Sequence, residues 1–437
     1  MQIVLLSGGS GKRLWPLSND IRSKQFIKIF KTESGDYESM VQRVYRQICK
    51  VDAQAKVTIA TSKSQVSAIH NQLGDAVGVS VEPCRRDTFP AIALATAYLH
   101  DVMGVGEEEA VVVCPVDPYV EEDYFAALKQ LSDLAEKGTA NLTLMGIEPT
   151  YPSEKYGYII PEGKEQVSVV RTFKEKPTEA VAKEYIAEGA LWNGGVFAYK
   201  LGYVLNRAHE LIDFIDYKDL FAKYDTLTKI SFDYAVVEHE KSIAVMRFKG
   251  QWKDLGTWNT LAEAMEEPTM GKVMLNDQCE NVHVINELNV PVLCMGLKNV
   301  IVSASAEGIL VSDTEQSSAI KPFVDAIDQP IMFAEKSWGD YHVLDSREGS
   351  LTVRLEMKAG AQMSYHSHKL RKELWTVLSG EGVAFVDGKE QNVRSGDLIS
   401  IPANVKHTIQ AKTPLSLLEV QIGEISVKDK QKFEKLR

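Results

Sequence analysis

Residues 2–18 read QIVLLSGGSGKRLWPLS, a short apolar run followed at once by a glycine-rich turn. The run Gln2–Leu6 predicts a strand that is buried on both faces. Glycines let backbone N–H groups approach anionic oxygens closely, and cations at the end of the turn add positive charge. The turn is neither a Walker A loop nor a dinucleotide fingerprint, because the Ser or Thr of the first and the third glycine of the second are missing. We interpret it as a phosphate-binding turn, built from Gly8, Gly9, Gly11, Lys12 and Arg13.

The pattern of the first strand repeats through residues 1–265. Apolar runs at Lys56–Ala60 and Ala110–Cys114 alternate with helical spacing at Tyr37–Lys50 and Phe89–His100. Such alternation predicts an α/β domain with a doubly wound, Rossmann-like sheet. Ligands of such sheets bind beyond the carboxyl ends of the strands, so the loops after Leu6 and Cys114 are expected to form the site.

Two further regions follow. Residues 266–330 hold short β-rich pieces, which predict a β-helix-like linker that either orients its neighbours or makes an oligomer contact. Residues 331–437 are strand-like with glycine turns, which predicts a small antiparallel β-barrel. The charged end Val427–Arg437 has the composition of a solvated helix.

Composition excludes several classes of protein. The 437 residues carry a net charge of −11, whereas a bulk nucleic-acid binder is expected to be basic. No run approaches the roughly 18 apolar residues of a membrane span. The five cysteines are scattered and odd in number, which argues against a disulfide framework. We therefore expect a soluble, cytoplasmic protein that binds neither nucleic acid nor membrane.

Two carboxylates are candidate ligands for a magnesium–nucleotide complex. Asp117 follows a predicted strand in PVDP, and Asp254 lies in WKDLGTW. Mg²⁺ bound to a triphosphate needs only one or two protein carboxylates. Either aspartate alone is more often a turn or cap residue, so the interpretation depends on their meeting. Lys12, Arg13, Arg22 and Lys24 concentrate positive charge near the same turn, which suits a polyphosphate.

The last region contains a histidine cluster. His366 and His368 are two residues apart, so on a strand both side chains lie on one face. Glu373 falls on the next predicted strand, and His407 follows in GDLISIPANVKH. Three imidazoles and a carboxylate suit Zn²⁺, Fe²⁺, Mn²⁺, Co²⁺ or Ni²⁺, and the spacing does not choose among them.

Taken together, these motifs resemble the bifunctional mannose-1-phosphate guanylyltransferase/mannose-6-phosphate isomerase family, a sugar nucleotidyltransferase followed by a cupin. The resemblance covers essentially the whole chain. The cupin motifs carry Asn404 where glycine is usual. The matching segments, in order, are SGGSGKRLWPLS, SKQF, EPCRRDTFPAIALA, PVDP, YGYI, FKEKP, WNGGVF, FDYAVVE and WKDLGTW.

The resemblance implies roles for individual residues. GTP would contact Gly8, Gly9, Gly11, Lys12, Arg13, Lys24 and Arg86, and Mg²⁺ would bind Asp117 and Asp254. Mannose 1-phosphate would contact Gly157, Glu175, Lys176 and Asn193. Arg13, Lys24, Asp117 and Asp254 would serve catalysis of nucleotidyl transfer. In the cupin, a divalent transition metal, most readily Zn²⁺, would be held by His366, His368, Glu373 and His407. The substrates there would be mannose 6-phosphate and fructose 6-phosphate. Arg371 and Arg354 are candidates to contact their phosphate or the enediolate formed from them.

Alternatives stay open at this point. Asp87 and Cys84 depart from the family's usual Asn and Gly, which leaves base selectivity open. The enzyme could use another base or sugar 1-phosphate, with a cupin that only binds sugar. A sugar-phosphate sensor without catalysis and a metal-dependent oxygenase are hypotheses from other classes.

Overall fold

A computed structural model describes residues 1–9 and 12–434. These residues form two compact units, one of residues 1–9 and 24–266, the other of residues 12–23 and 267–434. The predicted end of the first domain at residue 265 lies next to this division. The assignment of residues 12–23 differs from the prediction. The sequence placed them in the first domain, whereas in the structure they belong to the second unit.

The first unit is a layered α/β structure. Its strands are β1 (Gln2–Leu6), β2 (Lys28–Lys31), β3 (Tyr37–Ser39), β4 (Lys56–Ser62), β5 (Gly78–Glu82), β6 (Ala110–Pro115), β7 (Pro118–Val120), β8 (Leu142–Ile147), β9 (Tyr158–Pro161), β10 (Val167–Lys174), β11 (Leu191–Lys200), β12 (Ile243–Phe248) and β13 (Trp252–Asp254). Its helices are α1 (Met40–Val51), α2 (Val66–Leu73), α3 (Thr88–Asp101), α4 (Glu122–Lys137), α5 (Glu179–Ala187), α6 (Leu201–Leu211), α7 (Tyr217–Lys223), α8 (Phe232–Ala235) and α9 (Trp258–Ala262).

The main sheet has the order β5-β4-β1-β6-β11-β8-β12-β10-β9. β1 pairs in parallel with β4 and with β6, as the apolar runs predict. α3 is apolar almost all round and is buried against this sheet, which is the expected place for such a helix. α1 begins at Met40 and not at Tyr37, because residues 37–39 pair with β2 and Ser39 then caps the helix.

The second unit is almost entirely β-structure. Its strands are β14 (Thr269–Met270), β15 (Val273–Leu275), β16 (Glu280–Asn286), β17 (Val292–Cys294), β18 (Lys298–Ser305), β19 (Gly308–Asp313), β20 (Phe333–Lys336), β21 (Gly339–Arg347), β22 (Ser350–Met357), β23 (His366–His368), β24 (Arg371–Ser379), β25 (Glu381–Val386), β26 (Lys389–Arg394), β27 (Leu398–Ile401), β28 (His407–Ala411), β29 (Leu415–Gly423) and β30 (Lys430–Lys432), with one helix α10 (Lys321–Asp325).

The linker strands stack as turns of a β-helix. β14 pairs with β16, β16 with β18, and β15 with β17, all in parallel. Parallel pairing of successive short strands follows from a chain that coils, since a hairpin would pair them antiparallel. Val282, Val284, Cys294 and Val302 form the small core inside.

Residues 12–23 pack on this linker through a buried carboxylate. Asn19 donates from Nδ2 to Glu307 Oε1 at 2.7 Å and to the Phe333 carbonyl at 2.8 Å. The same Glu307 oxygen accepts from the backbone N–H groups of Met332 and Phe333, each at 3.0 Å. Glu307 therefore joins residues 12–23, the linker and the first strand of the barrel.

The barrel consists of two antiparallel sheets, β20-β21-β22-β29-β24-β27 and β26-β25-β28-β23-β30. Alternate residues of its strands are buried and form its core, including Val353, Leu355, Trp375 and Ile409. This two-sheet arrangement matches the predicted cupin barrel.

The predicted terminal helix is wrong for the residues that the structure describes. Val427–Asp429 form one short 3₁₀ turn, and Lys430–Lys432 form strand β30 against β23. The Asp429 carboxylate accepts from the backbone N–H groups of Lys369 at 3.0 Å and Leu370 at 3.1 Å, which holds the chain extended beside β23. Residues 435–437 lie outside the described range.

Among the described residues, no helix is long and apolar enough to cross a membrane.

Candidate functional sites

The first site lies in the first unit, where two predicted metal ligands meet. β7 and β13 pair antiparallel with Pro118 opposite Asp254, so Asp117, which directly precedes β7, lies next to Asp254. Lys24 Nζ lies 2.7 Å from Asp117 Oδ2 and 3.4 Å from Asp254 Oδ1. The three groups thus form one charged cluster, as the interpretation of the aspartates required.

The cluster fixes the charge of Lys24. Burial alone would lower the pKa of Lys24, but Asp117 and Asp254 outweigh it, and the pKa is raised above its ordinary value. The lysine is therefore a permanent cation between two carboxylates. Carboxylate oxygens are the ligands that Mg²⁺ prefers, so this donor set fits the predicted ion.

The same cluster borders a cavity of about 240 Å³. All four residues predicted to contact the sugar line this cavity together with the two aspartates: Gly157, Glu175, Lys176 and Asn193. A Cβ at Gly157 would lie 2.5 Å from Glu175 Oε2 and 2.9 Å from Phe173 Cζ. Only glycine leaves this wall of the cavity undisturbed.

A half-buried aspartate that sequence reasoning missed, Asp233, also lines the cavity. Asn193 donates from Nδ2 to Asp233 Oδ1 at 2.7 Å and accepts at Oδ1 from the Gly195 N–H at 3.1 Å, which fixes its amide orientation. Glu175 pairs with Lys176 at 2.8 Å. Burial and the nearby Glu175 raise the pKa of Asp233 to about 6. The segment FDYAVVE contained Asp233, but nothing in its pattern singled out that residue.

The predicted phosphate turn is divided between the two units. In the first unit, Gln25 Nε2 donates to the Ser7 carbonyl at 3.1 Å, and Gln65 Nε2 donates to the Gly9 carbonyl at 3.4 Å. These buried amides hold the turn at Gly8 and Gly9. Gly11 lies outside the described residues.

The cations of the turn belong to the second unit. Lys12 Nζ lies 3.2 Å from Asp325 Oδ1 and 3.8 Å from Asp20 Oδ1, while Arg13 is exposed. Their predicted contacts with a nucleotide stay predictions.

Arg86 has a structural partner in the first unit. Its guanidinium donates to the backbone carbonyls of Tyr224, at 3.4 Å, and Asp225. The next residue, Asp87, has φ 72° and caps α3 by accepting from the Thr88 N–H at 2.8 Å. The departure from the family's Asn thus lies at a helix cap, where Asp and Asn serve equally.

The second site is the histidine cluster of the barrel. One ligand atom from each of His366, His368, Glu373 and His407 lies within 4.8 Å of the others, and all four side chains are buried. Glu373 lies 3.1 Å from His368 Nε2 and 3.2 Å from His407 Nε2. β23, β24 and β28 bring the four groups to one point, as the spacing predicted.

Backbone carbonyls orient two of the imidazoles. His366 Nδ1 lies 2.6 Å from the Ser364 carbonyl, and His407 Nδ1 lies 2.9 Å from the Val405 carbonyl. A carbonyl only accepts, so Nδ1 carries the proton and Nε2 presents its lone pair to the centre. Burial lowers the pKa of His366 to about 2, which keeps its ring neutral. The donor set fits a divalent transition metal.

The two arginine candidates differ. Arg371 is buried, with Nη2 3.0 Å from His368 Nε2 and Nε donating to Glu373 Oε1 at 3.4 Å. Arg354 is exposed on β22 between the buried Val353 and Leu355, so it faces away from the barrel interior. The expectation for Arg354 is therefore wrong, because its strand alternation places it on the outer face.

Comparison with known proteins agrees with this geometry. Residues 2–270 match the nucleotidyl transferase family, and residues 330–435 match the mannose-6-phosphate isomerase C-terminal family. The chain is 28% identical to the mannose-1-phosphate guanylyltransferase of Escherichia coli, over 98% of this chain and 96% of that protein. It is 29% identical to the xanthan biosynthesis protein XanB of Xanthomonas campestris, over 96% and 95%.

A solved structure is similar as well. It is described as a mannose-1-phosphate geranyltransferase from Thermus thermophilus, with 26% identity and a TM-score of 0.60, over 74% of this chain and 98% of that one. The nucleotidyl transferase match covers more than half of the chain. The chain belongs to the nucleotidyl transferase family, as an enzyme that carries a C-terminal domain of the mannose-6-phosphate isomerase type.

Proposed function

We propose that the first unit transfers the guanylyl group of GTP to mannose 1-phosphate, giving GDP-mannose and pyrophosphate. The observation that carries this proposal is the meeting of Lys24, Asp117 and Asp254 at the edge of the cavity lined by the four predicted sugar contacts. A transferase of this type needs charge neutralisation and a sugar pocket side by side. The full-length relatives named for this activity support the choice of substrates.

The reaction needs no covalent enzyme intermediate. An oxygen of mannose 1-phosphate attacks the α-phosphorus of GTP, and its bond forms as the bond to the β-phosphate oxygen breaks. The attacking phosphate is already ionised, so no general base is required. Mg²⁺ held by Asp117 and Asp254 would supply a Lewis acid for the triphosphate. Lys24 neutralises charge, and Lys176, Glu175 and Asn193 position the sugar phosphate.

For the barrel we propose interconversion of mannose 6-phosphate and fructose 6-phosphate. This isomerisation moves a proton between C1 and C2 of the open-chain sugar. A metal held by the three histidines and Glu373, Zn²⁺ first among the candidates, would stabilise negative charge on the sugar oxygens. Arg371, fixed 3.0 Å from His368 Nε2, adds a cation next to the developing enediolate.

One set of incubations tests both proposals on the full chain. With Mg²⁺ and mannose 1-phosphate, pyrophosphate release is expected with GTP and much less with ATP, UTP or CTP. Equal turnover of UTP or CTP would overturn the guanylyl assignment. Tight binding of mannose 1-phosphate without pyrophosphate release would favour a sensor.

The second set uses the protein reconstituted with Zn²⁺, Fe²⁺, Mn²⁺, Co²⁺ or Ni²⁺ in turn. Fructose 6-phosphate is expected to yield mannose 6-phosphate with at least one of these metals. Oxygen consumption without isomerisation would favour an oxygenase, and binding without any product would leave a non-catalytic sugar-binding cupin.

A further inference from the structure

The terminal strand lies directly beside the histidine pair of the barrel. In the antiparallel pairing of β30 with β23, Lys432 is opposite His366, Gln431 opposite Ser367, and Lys430 opposite His368. Residues that are directly opposite on neighbouring strands project from the same face of a sheet. The two lysines therefore share the face on which the two histidines reach the cluster, and Gln431 lies on the other face.

The strand is fixed on both sides of the lysines. Before it, the Asp429 carboxylate accepts the two backbone N–H groups of Lys369 and Leu370. After it, the Phe433 N–H donates to the Tyr365 carbonyl at 2.9 Å, and Lys406 Nζ lies 4.2 Å from the centre of the Phe433 ring. The position of the lysines thus follows from contacts that do not involve their own side chains.

Three acidic groups lie around this face, and the one that acts most strongly on Lys430 is the buried Glu419, which also accepts from Gln421 Nε2. Glu373 is engaged by His368 and His407, and Asp429 by backbone N–H groups. Lys430 is half-buried and Lys432 is exposed, so the two ammonium groups run from the interior towards solvent. Their Cα atoms are about 7 Å apart, as for any two alternate residues of a strand, which lets both ammonium groups reach one tetrahedral anion.

We propose that Lys430 and Lys432 form the phosphate-binding wall of the barrel site. The ligand is a sugar phosphate whose phosphate lies against these lysines and whose sugar oxygens face the histidine cluster. This inference rests on the proposed action of the barrel on a sugar 6-phosphate. Lysine serves as a point charge for phosphate, while Arg371 is held by His368 and Glu373 and supplies charge at the sugar end.

Calorimetry on the full chain tests the proposal through binding. The metal-loaded and the metal-stripped protein are titrated with fructose 6-phosphate, with fructose and with inorganic phosphate. The double variant Lys430→Ala/Lys432→Ala is expected to weaken fructose 6-phosphate binding by about 10- to 100-fold, the usual loss for hydrogen bonds to a charged group. Lys432→Arg is expected to retain most of the affinity, and added salt is expected to weaken the wild-type binding.

Two control variants separate this role from strand pairing. Gln431→Ala changes the other face of the same strand, and Lys389→Ala removes an exposed lysine of β26; neither is expected to change the affinity. Thermal melting checks that the double variant stays folded. If the melting temperature of the double variant is well below that of the wild type, the single variants Lys430→Gln and Lys432→Gln replace it in the titration.

The outcomes distinguish two failures. If the wild type binds and isomerises fructose 6-phosphate while the lysine variants bind it equally well, the phosphate wall is wrong and the proposed function survives. If the metal-loaded wild type neither binds nor converts the sugar phosphate, the proposed function of the barrel is wrong, and this inference with it.

Discussion

The two candidate metal sites of the molecule differ in how far they are enclosed. Asp117 and Asp254 are 36% and 47% exposed and lie at loop and strand ends beside an open cavity. The four groups of the barrel are no more than 2% exposed and lie on or beside paired strands. The first site is a partial shell that a substrate would complete, and the second is a preformed cage.

The difference suits the two reactions proposed for the sites. A nucleotidyl transferase binds a triphosphate that brings its own oxygen ligands, so two carboxylates and a lysine suffice. An isomerase metal has only a sugar to complete its shell, so the protein supplies most ligands. Each site should therefore respond to loss of a carboxylate in its own way.

The largest effect is expected from Asp254→Asn. Loss of one of two carboxylates beside Lys24 removes metal affinity and charge balance where phosphate charge develops, and kcat for nucleotidyl transfer should fall about 1,000-fold. Isomerisation should be unchanged. Pyrophosphate release measures the first and mannose 6-phosphate formation the second, with Glu184→Gln on the exposed face of α5 as the matched control. Loss of both reactions together would contradict the separation of the sites.

Glu373→Gln is the reciprocal test, with a smaller expected effect. The amide cannot supply the charge that neutralises a divalent ion, so metal affinity of the barrel should fall about 100-fold. A competition titration with a chromogenic chelator measures the affinity independently of turnover, and Glu390→Gln on β26 is the control. An unchanged metal affinity would show that Glu373 is not a ligand of the bound metal.

Sequence predicted the barrel site more completely than the transferase site, and strand geometry explains why. Alternation on a strand is local, so His366 and His368 could be assigned to one face from spacing alone. Asp117 and Asp254 meet only because β7 pairs with β13, which neither segment reveals by itself. Their meeting could be expected only from the resemblance to a family.

Two parts of the structure could not be predicted because tertiary contacts decide them. The charged composition after residue 427 suits a solvated helix. In the structure, however, the Asp429 carboxylate accepts from the backbone N–H groups of Lys369 and Leu370, and the next residues pair with β23 as strand β30. Residues 12–23 follow a strand of the first unit, yet Asn19 finds its buried acceptor in Glu307. Neither contact leaves a periodic signal in the sequence.

Glu307→Ala tests that second contact. It leaves Asn19 Nδ2 and the N–H groups of Met332 and Phe333 without their acceptor, which should cost about 2 kcal/mol of stability. Backbone hydrogen exchange in residues 12–23 and in residues 329–336 should become faster together. Residues 12–23 include the predicted phosphate-binding cations Lys12 and Arg13. Glu307→Gln keeps an acceptor oxygen and should stay near wild type. Faster exchange in only one of the two segments would mean that Glu307 does not join them.

The smallest expected effect concerns Asp233, a half-buried acid in the lining of the open site. The pKa of Asp233 is raised to about 6 by burial and by Glu175, whereas in the unfolded chain it is ordinary, near 3.8. Between these two values the folded protein binds more protons than the unfolded one, so this residue's contribution to stability falls as the pH rises from about 4 to about 6.

Asp233→Asn removes that titration while its Oδ1 still accepts from Asn193. The variant should therefore match the wild type near pH 4 and be more stable by about 1 kcal/mol at pH 7, less than the full shift implies because the side chain keeps some solvent contact. Urea unfolding at both pH values measures the difference, with the exposed Asp213→Asn as control. An equal difference at both pH values would contradict the raised pKa of Asp233.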